Sequence, residues 1–277
     1  MHVRIWGARG SLASPGADTV RYGGNTSCIE VRPADRSLVV LDAGTGIRKL
    51  GLALDGSTPP RIDLLLSHLH LDHLEGLGFF APLWDPRTEL HIWGPPSPVR
   101  SLSDRVAQYL SPPLFPVRLA EVPARIRLHD APEDPWALGS ATLRAAAIVH
   151  RGPTVGYRIE EGGRSLAYLT DHEPARTAEL PSIPPGWISG FEIASGADVL
   201  IHDCQYTEEE YAARAGFGHS SARHVADFAR IAGVRRLLLF HHDPNHDDDE
   251  LEALRDRVRE LWDGDVELAR EGDELAL

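Results

Sequence analysis

Short apolar blocks separated by glycine, proline and acidic turns run along this chain, and their spacing changes character as it proceeds. In the N-terminal part, residues 2–6 (HVRIW), 27–31 (SCIEV) and 37–42 (SLVVLD) are rich in β-branched and aromatic residues and predict strands. Helical spacing first appears at 46–54 (GIRKLGLAL). It is followed at 61–67 (RIDLLLS) by a strand apolar enough to be buried on both faces. Glycines and prolines from Gly94 to Pro116 flank a helical stretch at 99–110 and end in SPPLFP. That segment reads equally well as an excursion near a site mouth and as an ordinary surface connection. Strands are predicted again at 140–150, 154–160 and 164–171.

The last third alternates a strand at 197–203, helices at 207–216 and 220–233, a strand at 234–243 and a helix at 247–262. In that final helix Leu251, Leu254, Val258 and Leu261 recur at helical spacing, and three aspartates suit the positive end of its dipole. Strand-rich halves that each carry helices predict an α+β protein, with two sheets packed together and helices outside. No repeat or low-complexity tract divides the chain, so residues 1–277 read as a single domain.

Composition narrows the class only modestly. The chain is 42% hydrophobic and 25% charged, as ordinary globular proteins are. It has no run of about eighteen apolar residues, and its first ten residues lack the apolar core of a secretory signal. Cys28 and Cys204 make no disulfide framework, so a reducing cytoplasm is the expected location. The net charge of −13 disfavours extended nucleic acid as a partner, because polynucleotide binding draws on Lys and Arg meeting phosphates. A metal cluster can still make one site locally positive, so a small phosphate substrate stays open. Lys49 is the sole lysine, which reads as genomic base composition.

The candidate chemistry begins at His68-x-His70-x-Asp72-His73, directly behind the 61–67 strand. On extended chain His68 and His70 share a face and can address one ion. If the chain then turns helical, Asp72 and His73 can address a second. Three more apolar strands end in a ligand type: AAAIVH at His150, LAYLTD at Asp171 and LLLFH at His241. We assign His68, His70 and His150 to a first ion and Asp72, His73 and His241 to a second, with Asp171 bridging. Strand alternation lets only one of His241 and His242 face the site, and His241 directly follows the apolar run. Imidazole and carboxylate ligands suit two divalent ions, zinc first, with manganese or iron as alternatives.

With HLHLDH complete and His150, Asp171 and His241 following in order, the sequence resembles the metallo-β-lactamase-fold hydrolases over almost its whole length. The resemblance implies a four-layer αββα sandwich with a dinuclear site at one edge between the sheets. It makes Asp42, in VVLDAGTG, a buried supporting residue and not a ligand. Within that superfamily the phosphodiesterase branch fits, which includes tRNA 3′-processing nucleases and cyclic-phosphate phosphodiesterases. Its further His-Ser-Thr-like element matches His219-Ser220-Ser221, 22 residues before His241. Ser220 is a good N-cap for the next helix, which would leave the His219 ring free at the rim. A partly exposed histidine can protonate a departing alkoxide, and Asp203, ending another strand, can orient it. His202 and Asp203 can alternatively be structural.

WGARGS and YGGNTSCIEV also look like the cyclic-phosphodiesterase members. There Gly24 and Asn25, with Gly23, can bring N–H groups to a phosphate, and a structural turn is the alternative. Bacterial tRNA-processing relatives carry a long arm between the ligands matching His150 and Asp171. Here those residues are 21 positions apart, room for two strands and a turn.

The expected activity is hydrolysis of a small, cyclic phosphodiester: a metal-activated bridging water attacks phosphorus and His219 protonates the leaving oxygen. The catalytic set is therefore His219, Asp203 and the ligand Asp72, with Gly24, Asn25 and Ser220 on the substrate. Rival readings are an RNA 3′-end nuclease, a thioester hydrolase similar to glyoxalase II, and a non-catalytic binder. Members of the family are often dimers, so a homodimer is an expectation by resemblance alone.

Overall fold

A computed structural model describes every residue except Asp55 and residues 176–178. The chain first lays down β1 (His2–Gly7), β2 (Cys28–Arg32), β3 (Leu38–Leu41), β4 (Arg61–Leu65), β5 (Glu89–Gly94) and β6 (Arg125–Asp130). It continues with β7 (Trp136–Leu138), β8 (Ala141–Ala147), β9 (Val155–Glu161), β10 (Arg164–Leu169), β11 (Val199–Asp203), β12 (Arg236–Phe240), β13 (Asp265–Leu268) and β14 (Glu274–Ala276). One sheet runs β14-β1-β2-β3-β4-β5-β6 and the other β13-β12-β11-β10-β9-β8-β7. The final strand thus crosses back to pair antiparallel with the first, His2 opposite Ala276.

Helices α1 (Gly46–Ala53) and α2 (Leu102–Tyr109) cover the first sheet; α3 (Phe191–Ala194), α5 (Ala222–Ala232) and α6 (Asp248–Leu261) cover the second. A short α4 (Glu208–Arg214) lies between β11 and α5 in sequence. Strand β3 shows why its run is apolar throughout. Val39 and Leu41 join the core between the sheets with Tyr157, Ile201 and Phe240, while Leu38 and Val40 join Ile47 and Leu50 under α1. Alternating side chains bury both faces, so each central strand reads as a continuous hydrophobic run. The result is the expected four layers, α/β/β/α.

Five strands fall outside the predicted set, and four of them, β6, β7, β13 and β14, are the sheet edges. An edge strand faces solvent along one side and carries charge, as Arg125, Arg127 and Asp130 do on β6, so it lacks the apolar run that betrays a central strand. The N-cap of α5 also differs from expectation. Ser221 caps it by accepting the His224 N–H. At α6, Asp247 accepts the N–H groups of Asp249 and Glu250, as the aspartate cluster suggested.

Parallel pairing orients the site. β3 lies parallel to β4, and β10, β11 and β12 are parallel neighbours. β8 is antiparallel to β9, which is antiparallel to β10, so β8 also runs toward the same edge. The residues following β3, β4, β8, β10 and β12, together with the end of β11, therefore emerge on common edges of the two sheets. Between β9 and β10 the turn is only Gly162-Gly163, both with positive φ, as a tight hairpin requires. No helix among the described residues is long and apolar enough to cross a membrane.

Candidate metal centre

Three residues that end strands at this edge have left-handed backbone: Asp42 at φ 61°, Asp171 at φ 50° and His241 at φ 57°. A non-glycine residue there costs on the order of 1–3 kcal/mol, least for Asp, Asn and His, and such strain gathers at functional sites. The turn releases each side chain from the alternation of its strand. It also separates the two adjacent histidines. His241 Nε2 comes to 3.1 Å from Asp72 Oδ2 and 3.0 Å from Asp171 Oδ1, whereas His242 Nε2 bonds the Ala269 carbonyl at 2.9 Å.

The HxHxDH segment leaves β4 and tightens into one 3-10 turn, Leu71–His73. Around it the nitrogens and oxygens form two groups whose members lie within 4.8 Å of one another: His68, His70, His150 and Asp171, and then Asp72, His73, Asp171 and His241. Asp171 belongs to both. Ring nitrogens face each other at 3.3 Å, His73 Nε2 to His241 Nε2 and His150 Nε2 to His70 Nδ1, and His68 Nε2 is buried without a hydrogen-bond partner. Lone pairs converging this closely fit a cation among them.

The outward nitrogens of His73 and His150 are already committed, which fixes their inward ones. His73 Nδ1 lies 2.8 Å from Asp42, whose buried carboxylate also accepts from the Ser67 N–H, the Ser67 hydroxyl and the Tyr168 hydroxyl at 2.7–2.9 Å. Asp42 is thus a support, as the resemblance implied. His150 Nδ1 donates to the Gly218 carbonyl at 2.8 Å. A Cβ on Gly218, whose φ is +98°, would lie 2.2 Å from that nitrogen. Gly218→Ala is therefore expected to displace His150 and lower metal occupancy of the first group at least tenfold, the scale of lost outer-shell support, as read by chelator competition.

Protonation suits cation binding. Burial holds His68, His70 and His150 below the ordinary histidine range, keeping them neutral with lone pairs available. Burial works against charge on Asp171, yet His241, His73 and His68 hold its carboxyl well below the carboxylate range.

Beside these groups His219 Nδ1 lies 2.6 Å from Asp203 Oδ2. Its ring stacks on His241 with centroids 5.1 Å apart and stands edge-on to His150 at 5.2 Å. Burial opposes charge on His219, but Asp203, with Asp171 and Asp72, pushes its pKa up to about 9. The ring is more enclosed than the expected rim position, only 8% exposed.

The three residues expected to bind substrate have partners within the protein. Ser220 is buried and its hydroxyl donates to the His172 carbonyl at 2.6 Å, because Ser221 takes the N-cap. Asn25 gives its backbone N–H and its side-chain amide to Glu271, and Gly24 packs against Pro15. That loop belongs to a separate cleft of about 490 Å³ with Trp6, Lys49 and Glu271. The N-terminal contact with the cluster comes from Ser11, whose N–H donates to Asp72 Oδ2 at 2.8 Å.

Two further supports lie behind the site, and of their residues only His202 was open to a structural reading in the sequence. Glu173 accepts the N–H groups of Gly216 and Gly218 and the Tyr211 hydroxyl, bracing the loop before His219. His172 and His202 form a buried pair at 2.9 Å that runs from Ser189 to the Asp203 carbonyl. A sequence does not distinguish such histidines from ligands without the contacts.

A family model for the β-lactamase superfamily domain matches residues 38–242, and the chain belongs to that superfamily. It is a metal-dependent hydrolase. Ribonuclease Z of Myxococcus xanthus is 28% identical over 90% of this chain and 91% of its own. Among solved structures, the metallo-β-lactamase fold protein YhfI from Bacillus subtilis superposes with TM-score 0.70 at 21% identity, covering 99% of both chains. A diphosphatase from the PhnP family superposes with TM-score 0.71 at 18% identity, covering 100% of this chain and 97% of the other.

Proposed function

We propose that the chain hydrolyses a small, cyclic phosphodiester. Two divalent cations, zinc by donor type, held by the two groups that share Asp171, would supply Lewis-acid polarisation of the phosphate and an acidified water. The protein's own part is the proton. Asp203 holds His219 Nδ1, so Nε2 is the nitrogen left for a leaving oxygen, and the ring stands between His150 and His241. That His219–Asp203 couple is the observation that carries the phosphodiester reading. An alkoxide needs a proton to depart, whereas the thiolate released by a thioester hydrolase does not. A binder needs neither group. Opening a cyclic diester leaves the departing oxygen attached, and the product is a phosphomonoester.

The small-substrate reading is supported by the Gly162-Gly163 hairpin, which is short where the resemblance implies a long arm in tRNA-processing members, and by the charge of −13. A second reading, RNA 3′-end processing, is favoured by the relatives named ribonuclease Z. Both share the same chemistry. The test is a panel on metal-loaded protein: cyclic nucleotides, bis(p-nitrophenyl) phosphate, pre-tRNA and S-lactoylglutathione. We expect the cyclic nucleotides to have the highest kcat/KM. Faster removal of a pre-tRNA trailer would overturn the small-substrate reading in favour of the second, and turnover of the thioester alone would overturn both.

A further inference from the structure

Four exposed apolar side chains lie within two residues in sequence of groups at the site. Leu12 follows Ser11, Leu71 sits inside the HLHLDH segment, Val149 precedes His150, and Phe217 lies two residues before His219. Phe217 is the only aromatic of the four, and its side chain is 52% exposed. Single exposed apolar side chains are ordinary on a protein surface, and what sets Phe217 apart is its place between Gly216 and Gly218, whose carbonyls accept from Arg151 and His150.

Its loop is held at several points. The N–H groups of Gly216 and Gly218 donate to the Glu173 carboxylate at 2.7 and 3.1 Å. The Gly216 carbonyl accepts from Arg151 Nε at 3.1 Å, and the Gly218 carbonyl accepts from His150. Phe217 is thereby fixed alongside residues 150 and 151. The Arg151 guanidinium carbon lies 5.7 Å from the Phe217 ring centroid, within cation–π range, and about half of Phe217 remains exposed to solvent.

Resting on the phosphodiesterase reading above, we propose that Phe217, backed by Arg151, is the platform on which the base of a nucleotide substrate stacks, so that the site selects base-bearing phosphodiesters over abasic ones. A rigid ring loses little entropy on binding, and any base offers a π-face to it. Such recognition needs one aromatic and no basic groove, which suits a chain of net charge −13.

The test compares adenosine 3′,5′-cyclic phosphate with a ribose cyclic phosphate that has no base, on the metal-loaded full chain. Phe217→Ala is expected to raise KM for the cyclic nucleotide about tenfold, within the range of base stacking, and to leave the abasic substrate unchanged. Phe217→Leu, apolar but without a π-face, should behave like Phe217→Ala, and Phe217→Trp should restore the wild-type KM. Because Phe217 is exposed, the variants should unfold at the wild-type temperature. Equal changes for both substrates, or none, overturn the platform. So does a variant whose only change is weakened self-association, which would make this face a contact between copies. Calorimetric binding of adenosine monophosphate against ribose 5-phosphate separates the two ideas. A base preference lost in Phe217→Ala, with no phosphodiester turned over by the wild type, would keep the platform and reject the phosphodiesterase.

Discussion

Asp171→Asn is expected to cost both bound metal and turnover. Asparagine tolerates the left-handed backbone at φ 50° nearly as well as aspartate, so the turn after β10 should survive. What changes is charge at the residue common to both donor groups, where Oδ1 lies 3.1 Å from His73 Nε2 and Oδ2 lies 3.6 Å from His68 Nε2. Loss of an outer support costs roughly 10- to 100-fold in metal affinity or activity. Loss of a shared ligand should exceed that. We expect metal content, by atomic emission, to fall to at most one ion per chain and kcat/KM to fall by more than about a hundredfold. A variant that kept both ions and its rate would refute the shared-ligand assignment.

His219→Ala should discriminate between leaving groups. General acid catalysis contributes about 10²- to 10⁴-fold when the leaving oxygen is a strong base. A p-nitrophenolate needs little protonation. The variant should therefore lose about that factor on a cyclic nucleotide and far less on bis(p-nitrophenyl) phosphate, with metal content unchanged. Asp203→Asn, which removes the charge 2.6 Å from Nδ1, should reproduce the same selectivity at smaller amplitude. Equal losses on both substrates would remove His219 from the acid role.

Much of this site was legible because its residues sit where apolar runs stop. Asp171 and His241 each close a strand that is hydrophobic on both faces, and that boundary is visible without a structure. The same logic missed residues whose roles depend on backbone atoms. Ser11 contributes an N–H to Asp72, and any residue except proline has an N–H there. Gly218 contributes a carbonyl and a missing Cβ. Ser220 and Ser221 illustrate a one-position ambiguity. Both can cap a helix, and only the path of the chain decides that Ser221 does. Gly24 and Asn25 looked like an anion nest because glycine and asparagine suit one, but Glu271 already fills that place with a carboxylate. Strand β5 escaped for another reason. Its second face carries His91 and Trp93, which stack on or bond to His129, so polar and aromatic residues replaced the expected aliphatic ones.

The unusual backbone shared by Asp42, Asp171 and His241 limits how this protein can change over time. At each position a replacement must satisfy two filters at once, the torsion and the chemistry, and few of the twenty amino acids pass the first comfortably. A saturation library at these three codons should return a narrow alphabet of Asp, Asn, His and Gly among folded clones, even when selected only for solubility. Drift in metal preference would then have to proceed through neighbours with ordinary torsions.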